Sequence, residues 1–266
     1  MQTDTRLPAQ AHWIETPFGE LFAQRWPVVE PKGAPIILLH DSLGCVALWR
    51  DFPQQLALHT QRDVIAYDRL GFGRSAPCQL RTPLGINFVA DEAYAGFFWV
   101  HQYFQLTQFV LLGHSVGAGM ALACASVHQG GCEAVIAEAA QAYVDDAITQ
   151  GIRQTNAFFQ TPERFARLTQ YHGDKAHWVL NAWVSTWLSA DFAHWQIQDT
   201  LSSVRCPVLC LHGEDDEYGA PCHAQTIVEG VAGPAFANIL SNCGHVPHKE
   251  QCATVLQSIK FFLQQD

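Results

Sequence analysis

The 266-residue sequence is short of charge: only 15% of its residues are Asp, Glu, Lys or Arg, against 48% hydrophobic. The charge present leans acidic, with 15 basic and 25 acidic residues and a formal net charge of −10. Lys and Arg gather nowhere into a cluster. Nucleic acid and membrane are therefore excluded as expected partners, because phosphate contacts need concentrated positive charge. No apolar run approaches the roughly eighteen residues that a membrane span requires. The opening residues Met1–Arg6 lack the apolar core of a secretory leader, so a cytoplasmic location is expected. Internal repeats and low-complexity linkers are also missing. So are a C-x-x-C pair and an H-E-x-x-H helix, and without them His212, His223, Cys222, Cys243 and Cys252 give no metal site. The nine cysteines are odd in number and scattered, several inside apolar runs such as those of Cys124 and Cys210, and read as reduced, buried thiols.

What is present is a well-packed globule long enough for one α/β domain with an insertion. Its centre is the stretch Phe109 to Met120. A short apolar run reads as a buried strand, and Gly117-Ala118-Gly119-Met120-Ala121-Leu122 reads as the start of a close-packed helix. Between them Gly113-His114-Ser115-Val116-Gly117 forms a G-x-S-x-G nucleophile elbow, in which the glycines allow a turn so sharp that the serine backbone is strained and its hydroxyl stands clear. The first amides of the new helix, Val116 N–H among them, point toward the place where an oxyanion would develop.

Along the chain, residues 12–26 read as a hairpin around Pro17-Phe18-Gly19-Glu20, and Ile36–His40 as a buried strand with a helix over 47–59 after it. Asp63–Asp68 is a second such strand, and 87–104 a helix leading into the elbow. Ala134–Glu138 is a strand, 139–200 is helical by its spacing throughout, and Pro207–His212 resumes the strands. A helix to about Val231, a strand over Ala235–Leu240 and a helix over Glu250–Leu263 complete the series. Strands alternating with helices predict a parallel sheet covered on both faces, with ligands at the carboxyl ends of its strands. Residues 1–138 and 201–266 are thus expected to form the core, and 139–200 a helical cap whose aromatics partly pack and partly line a pocket.

A serine hydroxyl needs a histidine to take its proton, and the histidine needs a carboxylate to fix its tautomer. Suitable residues lie in loops after predicted strands, in the order serine, acid, histidine. Four segments together resemble the α/β-hydrolase superfamily over nearly the whole chain. They are His40-Asp41-Ser42-Leu43-Gly44, Tyr67 to Ser75, the elbow, and the paired loops at Gly213 and Gly244-His245. The resemblance implies an eight-stranded, mostly parallel sheet with an inserted cap and no cofactor. It also implies hydrolysis of a small carboxylic ester, as in carboxylesterase-like and C–C hydrolase-like members.

Carried over position by position, the resemblance makes Ser115 the nucleophile and His245 the general base. Asp216, three residues after the strand-end glycine, is the acid, with Glu138 as an alternative where some members keep theirs. The backbone N–H groups of Ser42 and Val116 would form the oxyanion hole. Asp41 departs from the pattern, standing where the family has glycine. It tolerates the positive φ of such a position, yet its carboxylate would bring negative charge toward the oxyanion. Two other readings remain open. One is a C–C bond hydrolase of a dienone-type acid, its carboxylate met by Arg153, Arg164 or Arg167, and the other is a low-turnover ligand receptor that keeps the triad. Oligomeric state is left open.

Overall fold

A computed structural model of the protein describes residues 7–264. Met1–Arg6, on which the leader expectation rests, lie outside the described residues. The strands are β1 (Gln10–Ile14), β2 (Leu21–Trp26), β3 (Ile36–Leu39), β4 (Val64–Tyr67), β5 (Phe109–His114), β6 (Cys132–Glu138), β7 (Val208–Gly213) and β8 (Ala235–Leu240). They form one eight-stranded sheet in the order β1-β2-β4-β3-β5-β6-β7-β8. The β1–β2 hairpin joins antiparallel to β4, and every other pairing is parallel.

The parallel strands β3, β4 and β5 are buried along their whole length, which is why they read as unbroken apolar runs rather than as alternation. Their side chains still alternate between two cores. Ile37, Leu39, Ile65 and Tyr67 enter the core on one face, while Ile36, Leu38, Val64 and Ala66 enter the other.

The helices are α1 (Phe52–Thr60), α2 (Phe88–Asp91), α3 (Gly96–Tyr103), α4 (Val116–Val127), α5 (Asp146–Phe158), α6 (Pro162–His172), α7 (Ala176–Trp187), α8 (Gln198–Leu201), α9 (Cys222–Gly230), α10 (Pro247–Glu250) and α11 (Cys252–Phe262). Three of the expected helices are broken. The one over 47–59 is a 3₁₀ turn at Val46–Trp49 followed by α1, with Arg50 at φ 54° between them. The one over 87–104 divides into α2 and α3, where the Glu92 carboxylate turns inward to accept from Tyr67 Oη at 2.6 Å and Phe97 N at 3.1 Å. The last divides at Gln251, whose φ of −133° is extended and whose side chain bonds the Ser241 carbonyl at 2.7 Å.

The stretch 139–200 is not helical throughout. Its first residues run extended, with Tyr143 bridging Gln196, before Asp145 caps α5 by accepting from Ile148 N at 2.8 Å. Pro162 then opens α6. A third apolar cluster, Phe72, Leu168, Ala176, Val179 and Leu180, ties α6 and α7 to the loop after β4. Among the described residues no helix is long and apolar enough to cross a membrane.

Candidate active site

The elbow is built by close approach. Ser115 joins β5 to α4 with φ 56° and ψ −126°, a region that side-chain-bearing residues rarely occupy. A Cβ on Gly113 would collide with the Gly117 backbone, and one on Gly117 with the carbonyls of Leu39 and His40. Only glycine at both positions lets strand and helix meet so tightly, and the result is a serine at the carboxyl edge of the central strands.

Two further strand-end loops reach the same place. His245, after β8, donates from Nδ1 to both carboxylate oxygens of Asp216, after β7, each at 2.9 Å. With its proton held on Nδ1, the ring leaves the Nε2 lone pair free to act as a base. The Asp216 side chain is 1% exposed, accepts from Tyr218 N at 2.8 Å and lies 3.3 Å from His212 Nε2. Burial favours its neutral form, but the hydrogen bond and charge of His245 outweigh this and hold its pKa below the ordinary value. For His245 burial again opposes charge, and the Asp216 hydrogen bond and charge more than compensate, so its pKa is raised. The loops can pack this closely because Gly213 lies against the backbone of Cys243 and Gly244.

Ser115, His245, Ser42 and Asp41 border one cavity of about 260 Å³, roofed by Ile148, Ile152 and Thr155 of α5 and by Trp183 and Trp187 of α7. Ser42 lines the same cavity as Ser115, and Val116 is the first residue of α4. The positive φ expected at Asp41 is not found: its backbone is outside that region, so an ordinary side chain sits there without strain. Its Oδ2 lies 3.7 Å from His114 Nδ1, and its Oδ1 is buried with no hydrogen-bond partner. Asp41 is among the residues that line the cavity.

Three participants were not singled out by sequence. Gln141, 6% exposed, places its carboxamide Nε2 3.3 Å and its Oε1 3.5 Å from Ser115 Oγ, and that hydroxyl bonds to Gln141 rather than to His245. His248, in α10, donates from Nδ1 to Glu138 at 3.0 Å, and its backbone N–H donates to the same oxygen at 2.6 Å. The alternative acid thus has its own histidine. His114, the variable residue of the elbow, donates from Nε2 to the His245 carbonyl at 2.7 Å, and burial lowers its pKa to about 4. Nothing in the local pattern marks these contacts, since each joins segments at least 26 residues apart. His223 is spent on Asp145, 3.2 Å away. Among the described residues no group of three or more His, Cys, Asp or Glu is placed to hold a metal. None of Arg153, Arg164 or Arg167 lines the cavity.

Residues 34–172, just over half of the chain, match the family model described as the alpha/beta hydrolase fold. Solved structures superpose over almost the whole chain. Naproxen esterase (carboxylesterase NP) from Bacillus subtilis is 17% identical with a TM-score of 0.73, covering 97% of this chain and 92% of its own. The enol-lactonase from Burkholderia xenovorans LB400 is 16% identical with a TM-score of 0.71, covering 96% and 100%. A membrane phospholipase A described as a bacterial virulence factor is 18% identical with a TM-score of 0.73, covering 96% and 86%. At these identities the likeness is one of fold. No curated protein matches the chain in sequence.

Proposed function

The chain belongs to the alpha/beta hydrolase fold family, and from that premise we propose that it is a serine hydrolase cleaving a small carboxylic ester through an acyl-enzyme. The observation that carries the reading is the meeting, on one cavity, of a strained-elbow serine and a histidine already fixed by a buried carboxylate. In the proposed cycle Ser115 Oγ turns from Gln141 to His245 Nε2, gives up its proton there and attacks the ester carbonyl carbon. The backbone N–H groups of Ser42 and Val116 receive the developing oxyanion. His245, held cationic beside Asp216, returns the proton to the leaving alcohol, and water repeats the sequence to free the acid and restore Ser115. No cofactor enters this scheme.

Ester cleavage is favoured over C–C cleavage of a dienone-type acid by the charge of the cavity. Its carboxylates are Asp41 and Glu217, with neither Arg nor Lys among its lining residues, so a substrate carboxylate would meet repulsion there. The test is hydrolysis of p-nitrophenyl esters from acetate to long acyl chains by wild type and Ser115→Ala, with fluorophosphonate labelling of both. Turnover and labelling in wild type, both lost in Ser115→Ala, are expected. Turnover retained by Ser115→Ala would overturn the proposal.

A further inference from the structure

The Gln141 carboxamide bonds the nucleophile's hydroxyl, and the proposed cycle leaves it unused. A primary amide has two donor and two acceptor positions, and a buried one needs them filled. Here the side chain is 6% exposed and its hydrogen bonds go only to Ser115 Oγ, at 3.3 and 3.5 Å. Both are longer than the usual range for such hydrogen bonds, and so weak. Once Ser115 turns to His245, even these are given up, and the carboxamide, on the cavity wall, is free to bond a group of the substrate. Around it the walls are largely apolar, with Ile148, Ile152, Trp183 and Trp187. The Thr155 hydroxyl is already engaged with Tyr218 Oη.

The position of the amide limits what can fill it. The substrate's acyl carbon becomes bonded to Ser115 Oγ, so a group 3.3 Å from that oxygen reaches the substituents of the carbonyl carbon and of the next carbon, and little further. The carbonyl oxygen is assigned to Ser42 and Val116. The leaving oxygen takes the proton that His245 returns, so what remains is a substituent on the α-carbon, and the uncharged oxygen substituent that both donates and accepts is a hydroxyl. Building on the ester-hydrolase reading, we infer that Gln141 is a specificity residue, and that the acyl part of the substrate is a 2-hydroxy acid.

The pair ethyl lactate and ethyl isobutyrate tests this, because the second only replaces the α-hydroxyl by a methyl group. Each kcat/KM is divided by that ester's rate of hydroxide hydrolysis, which removes the difference in intrinsic reactivity. Wild type is expected to favour lactate, one enantiomer over the other, by at least about tenfold, since a site with an otherwise unpaired amide discriminates against the partner lacking the hydroxyl. In Gln141→Leu that ratio is expected to collapse toward one. A normalised wild-type ratio near one overturns the inference and leaves ester hydrolysis standing, and this comparison holds even if the variant fails to fold. An unchanged ratio in Gln141→Leu, or equal loss on both esters, removes Gln141 as the reader of the hydroxyl. If neither ester is cleaved while fluorophosphonate still labels Ser115, the 2-hydroxyacyl class is wrong. If labelling is absent too, the ester-hydrolase reading fails and the inference with it.

Discussion

Asp216–His245 and Glu138–His248 are the same chemical pair at two depths of one molecule. In each a histidine Nδ1 donates to a carboxylate, at 2.9 and 3.0 Å, and in each the carboxylate pKa is held below its ordinary value by the histidine despite the opposing effect of burial. Both rings lie 5.1 Å from the ring of His114, which stands between them. The difference is what the far side of each ring meets. His245 borders the cavity that holds Ser115, whereas His248 packs on Trp49 at 4.7 Å and Phe52 at 5.2 Å. A histidine–carboxylate pair becomes an acid–base device only where its second nitrogen reaches a substrate. Walled in by aromatics, the same pair ties α10 to the end of β6.

Breaking each pair in turn separates the two roles. Asp216→Asn is expected to cut kcat on a p-nitrophenyl ester by about 10³–10⁴-fold, because the amide no longer fixes the base in its working tautomer. Its pH profile sharpens the point. His245 works deprotonated, so kcat/KM rises with pH through its pKa, and in wild type that inflection is expected above the ordinary histidine value of 6.5. In Asp216→Asn the main opposition to burial is gone, leaving only the charges of Glu217 and Asp41 against it, and the inflection is expected to move down. An unmoved inflection would mean that another group sets it.

Glu138→Ala should do the reverse, changing stability more than chemistry. Removing one partner of a buried pair costs about 3–5 kcal/mol, which for a chain of this size lowers Tm by roughly 6–20 °C. The sign with pH follows from the depressed Glu138 pKa: the pair's contribution is full above the ordinary carboxylate value of 4.5 and is lost as pH falls through the lower folded value. The Tm gap between wild type and Glu138→Ala is therefore expected to close in acid. A gap that persists or widens there would show that the carboxylate's charge is not what stabilises the fold.

The legible half of this comparison was the one tied to motifs. The buried strands, the elbow and the loop positions of Asp216 and His245 follow from apolar runs, glycines and chain order, all local signals. Glu138–His248 joins residues 110 apart, and neither flank distinguishes it from a strand end and a helix start. Gln141 was hidden for a related reason. It lies in the extended stretch before α5, where spacing read as helix, and only the fold turns its side chain onto Ser115. The broken helices have the same origin, since Glu92 leaves the helical ladder for Tyr67, a partner that no window of adjacent residues contains.

Asp41 offers the smallest and most discriminating change. Asp41 lines the cavity, its carboxylate lies 3.7 Å from His114 Nδ1, and the next residue, Ser42, is the one whose N–H is proposed to receive negative charge. A fixed anion there opposes the oxyanion in the transition state more than in the ground state, and such a term lowers kcat rather than binding. Asp41→Asn keeps the shape and removes the charge, so kcat on a p-nitrophenyl ester is expected to rise by about three- to tenfold, as for a partly solvated charge a few ångströms away. KM is expected to change little. A fall in kcat would instead show that the carboxylate assists the reaction, for instance by favouring the charged form of His245, whose pKa it helps to raise, and that the departure from glycine has become part of how this site works.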